Sequence, residues 1–355
     1  MYKRQDARVI DLSKSTVLPG LFDAHTHLCM TLKRDRDGSN YFITTLLDST
    51  PYRGIEGVAN ARDMLAAGFT TVRDVGNAGN YADTALREAI ERGVVPGPTM
   101  LNAGRIIAPY GGQFHLQPEK RDLGTPEYAF ADTHDEMIKA IRENIHYGAT
   151  VIKIVVDDQK YIYSADDIHF MVEEAHRDGL KLAAHCWTRA GARNAAEAGV
   201  DSIEHGQMMT NEDLQLAKKN RVVLVGTDFT ERSARDSGMP DMHAVFVDRL
   251  KRAYQIGVTM AFGTDVFIYV PGETRGTLAA EYIDSWGEAG VPAKDTLRAM
   301  TVNAARLLGV DGERGAIKSG LAADIVATPD NPLDDIQAVR KISFVMKDGN
   351  IFKNE

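Results

Sequence analysis

Apolar and polar positions along the chain repeat one unit: an amphipathic helical stretch, a glycine, and a short apolar run rich in Val, Ile and Thr. The unit predicts helices over 59–67, 82–92, 134–147, 166–178, 190–198 and 243–256. Gly68, Gly93, Gly148, Gly179, Gly199 and Gly257 follow them, and strands come next at 70–75, 99–106, 151–156, 181–186, 202–205 and 259–263. A seventh unit, 211–219 into 222–226, carries Asn220 in place of the glycine. Gly and Asn readily take the left-handed conformation that closes a helix, so each marks a helix end feeding a strand. Strands alternating with helices at this spacing need crossovers and are parallel. With a front strand over 18–27 there are eight strands, followed by helical material from 277 to 308. The fold class expected is α/β, a (β/α)8 TIM-type barrel. A doubly wound open sheet is the competing architecture, but the chain lacks the glycine-rich phosphate turn of such sheets.

The two ends depart from the unit. Residues 7–17, and 315–352 with turns at Ser319-Gly320 and Asp348-Gly349, read as short strands that pair into a small β domain. The expected division is 1–17 with 314–355 as that domain, and 18–313 as the catalytic barrel. Long loops at 108–133, 228–241 and 266–276 all leave the C-terminal face, where barrels keep their sites.

Composition narrows the function classes. A net charge of −9 opposes a phosphate-backbone partner, which needs a basic face. No apolar stretch is long enough to span a membrane. The start, Met1-Tyr2-Lys3-Arg4, lacks the apolar segment of a secretory signal, so the chain reads as cytoplasmic or already trimmed. Its two cysteines, Cys29 and Cys186, cannot build a disulfide framework. The expected partner is a small molecule, with no nucleic acid and no membrane; a homo-oligomer is compatible with all of this.

Candidate chemistry gathers at the strand ends. His25 and His27, two apart on the front strand, point to one side, and neutral imidazole is a standard zinc ligand. Lys153 sits in an apolar run, where an unpaired ammonium is costly. His185, Glu204-His205 and Asp265 end three further strands, so all converge on one mouth. Asp74 and Glu204 are candidates to hydrogen-bond the ligands. Cys186 reads as a buried apolar residue, Cys29 as lying past the strand, and Trp187 and Tyr110 as candidate pocket walls.

The set Leu18-Pro19-Gly20-Leu21-Phe22-Asp23-Ala24-His25-Thr26-His27, Val151-Ile152-Lys153, His185, Ile203-Glu204-His205-Gly206 and Gly263-Thr264-Asp265 resembles the amidohydrolase superfamily. The closing segment 315–326 is similar to its C-terminal signature, so the resemblance covers nearly the whole chain. Within the superfamily it resembles the imidazolonepropionase-like branch that includes bacterial prolidases and dipeptide carboxypeptidases. The resemblance implies two divalent metal ions, expected to be zinc: His25, His27 and Asp265 on the more buried one, His185 and His205 on the other, and carbamylated Lys153 bridging them. It implies attack by a metal-bridging hydroxide, with Asp265 as the catalytic proton acceptor. Relatives usually place several more strands before the first motif; here only 7–17 is available, so the small domain is expected to be incomplete or a natural start, with its signal peptide, to be missing.

The resemblance implies an amide (peptide) hydrolase acting next to a C-terminal residue, a dipeptidase, carboxypeptidase or prolidase, with a dipeptide as substrate. His115, Asp228 and Arg275, on the long loops, are the candidate substrate-binding residues. A lactonase- or phosphotriesterase-like hydrolase is the alternative. Imidazolonepropionase itself fits less well, since one metal has no need of Lys153. An inactive barrel acting as a scaffold is the reading from outside enzymology, and no ligand is missing to support it.

Overall fold

The computed structural model describes residues 9–237 and 242–355. The expected strand over 7–17 and loop over 228–241 therefore lie partly outside the described residues. The chain forms β1 (Thr16–Pro19), β2 (Leu21–Thr26), β3 (Phe69–Asp74), β4 (Thr99–Asn102), β5 (Ile106–Ala108), β6 (Tyr128–Phe130), β7 (Val151–Val155), β8 (Lys181–Cys186), β9 (Ser202–His205) and β10 (Val223–Val225). The C-terminal part adds β11 (Ile325–Thr328), β12 (Phe344–Lys347) and β13 (Asn350–Asn354).

The barrel wall is parallel throughout. β2, β3 and β4 pair in sequence, as do β7, β8, β9 and β10. Two joins close the ring. The Thr150 amide donates to the Asn102 carbonyl at 2.8 Å, tying β4 to β7. On the other side, Leu224 donates to Thr259 (2.9 Å), Ala261 to Leu224 (3.1 Å) and Ala24 to Phe262 (2.8 Å). The expected eighth strand thus occupies its place, but it makes a single bridge rather than a ladder, and the segment turns at Asp265 (φ 57°). The third strand also differs from expectation: it breaks at Gly104 (φ 68°), and β5 pairs with both β6 and β7.

The helices Ala82–Glu91, His134–His146, Ala165–Arg177, Arg189–Ala198, Asn211–Lys219 and His243–Ile256 follow the periodicity to within a residue or two. The first is longer than its pattern, Thr50–Ala66, because Ser49 caps it and Pro51 sits in its first turn. Every glycine of the repeat has positive φ, from 69° at Gly93 to 93° at Gly68. The seventh unit departs: Asn220 stays at φ −87°, and Arg221 takes the left-handed position at φ 60°.

β1 belongs to a separate antiparallel sheet with β11, β12 and β13. Leu18 and Pro19, expected in the barrel, are part of it, and the chain crosses into the barrel at Gly20. There a Cβ would lie 2.0 Å from Thr70 Oγ1, so only glycine lets the strand pass. Pro19 is tolerated because β1 is an edge. At the other end Phe22, Ala24 and Ala261 pack against Ala304 and Leu308, plugging the barrel floor. Among the described residues no helix is long and apolar enough to cross a membrane.

Candidate metal centre

His25, His27, Lys153, His185, His205 and Asp265 all line one cavity of about 200 Å³ at the carboxyl ends of the strands. His25 and His27 reach it by the two-residue period of β2. Glu204 and His205 are adjacent on β9, so alternation would send them to opposite faces. His205 escapes that rule by taking φ 66°, which turns its ring back into the mouth while Glu204 stays inside the wall. Such a conformation costs a non-glycine residue roughly 1–2 kcal/mol. Asp265 is placed the same way.

Three of the four imidazoles have one ring nitrogen committed to a hydrogen bond. His25 Nδ1 bonds Glu204 Oε2 (2.6 Å), His27 Nδ1 bonds the Gly76 carbonyl (2.8 Å), and His205 Nδ1 bonds Thr227 Oγ1 (2.8 Å). His185 differs: its Nε2 lies 2.8 Å from Asp158 Oδ2 but makes no hydrogen bond. Asp265 Oδ1 is buried without a hydrogen bond, 3.2 Å from His27 Nε2 and 3.6 Å from His25 Nε2. Two bare imidazole nitrogens and a bare carboxylate oxygen facing one another describe a cation's donor set. His25, His205 and Asp265 form one such group, with ligand atoms all within 4.8 Å; Asp157, Asp158 and His185 form a second.

Electrostatics agree with that donor set. Burial, with Lys153 nearby, pushes His25 down to about 4, and burial with His185 nearby holds His205 low, so these rings are neutral at pH 7. Burial raises Asp265, but His25 and His27 outweigh it and keep the carboxyl below its usual range. Lys153 is 2% exposed and, among the described residues, has no hydrogen bond or ion pair; burial brings it down to about 8. The residues fit a divalent metal site.

A buried brace backs the site. Glu204 also accepts from Arg73 Nη2 (2.7 Å) and from Ser202 Oγ, and Arg73 Nε donates to the Ala24 carbonyl (2.6 Å). Burial opposes ionisation of Glu204, yet Arg73 and His25 win and hold it at about 2. Asp23 accepts from the Thr264 hydroxyl (2.7 Å) and amide (3.0 Å), locking β2 to the segment that carries Asp265. Asp74 acts one step removed: it accepts from the Leu28 and Gly76 amides, and Gly76 in turn holds His27.

The three expected substrate residues lie elsewhere. His115 is exposed and does not line the cavity; Gln113, two residues earlier, does. Asp228 is buried against Arg249 Nη2 at 3.0 Å. Arg275 is buried and donates to Val266 O, Met30 O (2.8 Å) and Thr31 Oγ1 (2.9 Å), bracing two loops. Trp187 lines the cavity, stacked 5.8 Å from the His205 ring, whereas Tyr110 does not line it. Tyr41, Asn77, Phe229 and Phe267 also line it, with Met30 and Ile106. Tyr41 arrives on the helix Tyr41–Leu47, which carries no apolar repeat to announce it. Asn77 Nδ2 donates to Tyr41 OH; Tyr41 OH lies 3.0 Å from Tyr128 OH, and Tyr128 OH donates to Gln113 Oε1 (2.7 Å).

Comparison with known proteins places this arrangement. The model of the amidohydrolase family matches residues 16–352. The chain is 27% identical to ochratoxinase from Aspergillus niger, over 95% of this chain and 75% of that one. It is 26% identical to imidazolonepropionase from Symbiobacterium thermophilum, over 90% and 76%. A solved Xaa-Pro dipeptidase with methionine bound in its active site superposes with a TM-score of 0.85 at 27% identity, covering 100% of this chain and 91% of that one. The chain belongs to the amidohydrolase family and is a hydrolytic enzyme.

Proposed function

We propose that this enzyme hydrolyses an amide bond next to a C-terminal residue of a dipeptide-sized substrate, using two divalent metal ions. The observation that carries the reading is the set of four imidazoles, three of them tied through Nδ1, around an unpartnered buried lysine and a bare carboxylate oxygen. His25, His27 and Asp265 would hold one ion, His185 and His205 the other, and Lys153 would join them as a carbamate. Burial favours the neutral amine, whose lone pair adds to carbon dioxide with loss of one proton, giving an anion where an ammonium is stranded. When bound, the ions supply an acidified water and polarise the scissile carbonyl. The Asp265 carboxylate accepts the proton of the attacking water and delivers it to the leaving nitrogen.

The cavity favours a small substrate, since about 200 Å³ is below the ~300–1,000 Å³ of drug-sized sites. Tyr41, Asn77 and Gln113 offer polar atoms on one side, Phe229, Phe267 and Trp187 apolar surface on the other. The likeness to an Xaa-Pro dipeptidase supports amide rather than ester chemistry. The test sets dipeptide, lactone and phosphotriester panels against one zinc-loaded preparation, with elemental analysis. Dipeptides should be turned over with two ions per chain, and Asp265→Asn should retain metal and lose turnover. Preference for lactones or phosphotriesters, or an active Asp265→Asn, overturns the reading.

A further inference from the structure

A second cleft, larger than the metal centre, lies elsewhere in the molecule. It has a volume of about 1020 Å³ and opens at the opposite end of the barrel, where β8 and β10 begin. Lys181, Val223 and Thr259 line it; the ends of the same wall hold His185, Thr227 and Asp265. At about 3.3 Å per residue the segment from Thr259 to Asp265 spans up to ~20 Å, so this is a second place, not an annex of the first.

Its charge is out of keeping with the rest of the protein. The fixed cations on its walls are Lys181, Arg221, Arg298 and Arg306; the acids are Asp201 and Asp295. Both acids are already engaged. Asp201 accepts from Lys181 (2.9 Å), from the Leu182 amide (2.8 Å) and lies 2.8 Å from His176; Asp295 accepts from the Tyr254 hydroxyl (2.9 Å). The three arginines are not. Among the described residues only Arg34, Arg221, Arg298 and Arg306 have a side chain with no hydrogen bond, ion pair or aromatic contact, and three of the four face this one cleft. A chain with net charge −9 has acids to spare for such pairing.

The three arginines are exposed, and the backbone that carries them is irregular. Arg221 takes the left-handed conformation that glycine fills in the sister units, and Arg298 and Arg306 flank a π-helical turn, Ala299–Asn303. A turn of this kind interrupts a helix at a cost and recurs at functional sites. Here Asn303 fixes it by donating to the Met260 carbonyl at 2.9 Å.

We propose that this cleft binds a small anion carrying at least two negative charges, held by the forked guanidinium groups of Arg221, Arg298 and Arg306. Guanidinium forks match phosphate and carboxylate oxygens in pairs, and the concave shape suits a small molecule better than an extended chain. The ligand is distinct from the hydrolysed substrate.

The test uses the full metal-loaded protein and calorimetric titration at matched ionic strength. The probes are fructose 1,6-bisphosphate, tricarballylate as a polycarboxylate, and benzene-1,3-disulfonate as a dianion that does not chelate metals. Saturable binding of one probe per chain is expected, and comparing the first two distinguishes phosphate ester from carboxylate. Arg298→Gln with Arg306→Gln should weaken it by at least about tenfold, since two charge-assisted forks are lost. Metal content and hydrolysis should not change. Arg221→Gln is the independent variant, and protection of wild-type arginines from phenylglyoxal by the probe is the readout free of substitution. Absence of saturation for all three probes, or equal affinity in the variants, overturns the proposal. So does concentration-dependent dimerisation abolished by the same substitutions, which would assign the cleft to a second copy of the chain.

Discussion

Replacing Glu204 by Gln isolates the brace behind the metal centre. The carboxylate has no exposure and faces the Nδ1 of His25 at 2.6 Å, the Nη2 of Arg73 at 2.7 Å and the hydroxyl of Ser202. An amide can satisfy only part of this. With its NH2 toward Arg73, two donors confront each other. With its NH2 toward His25, Nδ1 must accept, and the ring proton moves to Nε2, the nitrogen aimed at Asp265. The depression of Glu204 from 4.5 to about 2 corresponds to roughly 3 kcal/mol at 1.36 kcal/mol per unit. That agrees with the ~3–5 kcal/mol of a buried ion pair losing one partner. Urea unfolding of the metal-free protein, followed by tryptophan fluorescence, should show that loss at pH 7, and metal affinity should fall about 10–100-fold. The sign of the pH dependence is fixed: a lowered carboxyl stabilises above its unfolded value and loses that contribution as pH falls through the folded one. The deficit of the variant should be constant above pH 4.5 and close between 4.5 and about 2. The double change Arg73→Met with Glu204→Leu removes both charges and should recover much of the loss. A single variant within about 1 kcal/mol of wild type, or a double variant costing the sum of both singles, would refute the stranded-charge argument.

Three other outcomes follow from the geometry. Lys153→Met should leave at most one metal ion per chain by elemental analysis and abolish turnover; two retained ions would exclude a bridging role. Asp228→Asn should destabilise by ~3–5 kcal/mol by stranding Arg249, which is fully buried, while leaving KM unchanged. A raised KM on a stable fold would restore Asp228 as a substrate residue. Gly263→Ala places a Cβ 2.5 Å from Val225 Cγ1 and 2.9 Å from His25 Cβ, so it should cost ~1–3 kcal/mol and weaken metal binding; unchanged metal affinity would show that β2 tolerates the push.

The parts of this molecule legible in the sequence are those that local chemistry decides. Gly68, Gly148 and Gly257 end helices because of their own backbone freedom, and the period of β2 alone aims His25 and His27 together. Lys153 was conspicuous because a charge stood in an apolar run. What escaped depends on residues far apart. Asp228 and Arg275 looked like loop charges awaiting a ligand, but Arg249, Met30 and Thr31 consume them. His115 was the conspicuous side chain of its loop, whereas Gln113 reaches the cavity. Asp158 sits beside His185 because the chain turns at φ 79° after β7, and β alternation cannot foresee such a turn. His205 joined the site by breaking the same alternation; its expected place at a strand end was met by an irregularity, not by the rule.

The tie between Asp23 and Thr264 has a bearing on the order of assembly. Those residues are 241 positions apart, and Asp265 faces His25 only once they have met. No fragment that stops short of the eighth segment contains the full donor set, however well its first seven units are formed. Metal uptake in a refolding experiment should therefore trail the burial of the core and act as a clock for the moment the barrel shuts.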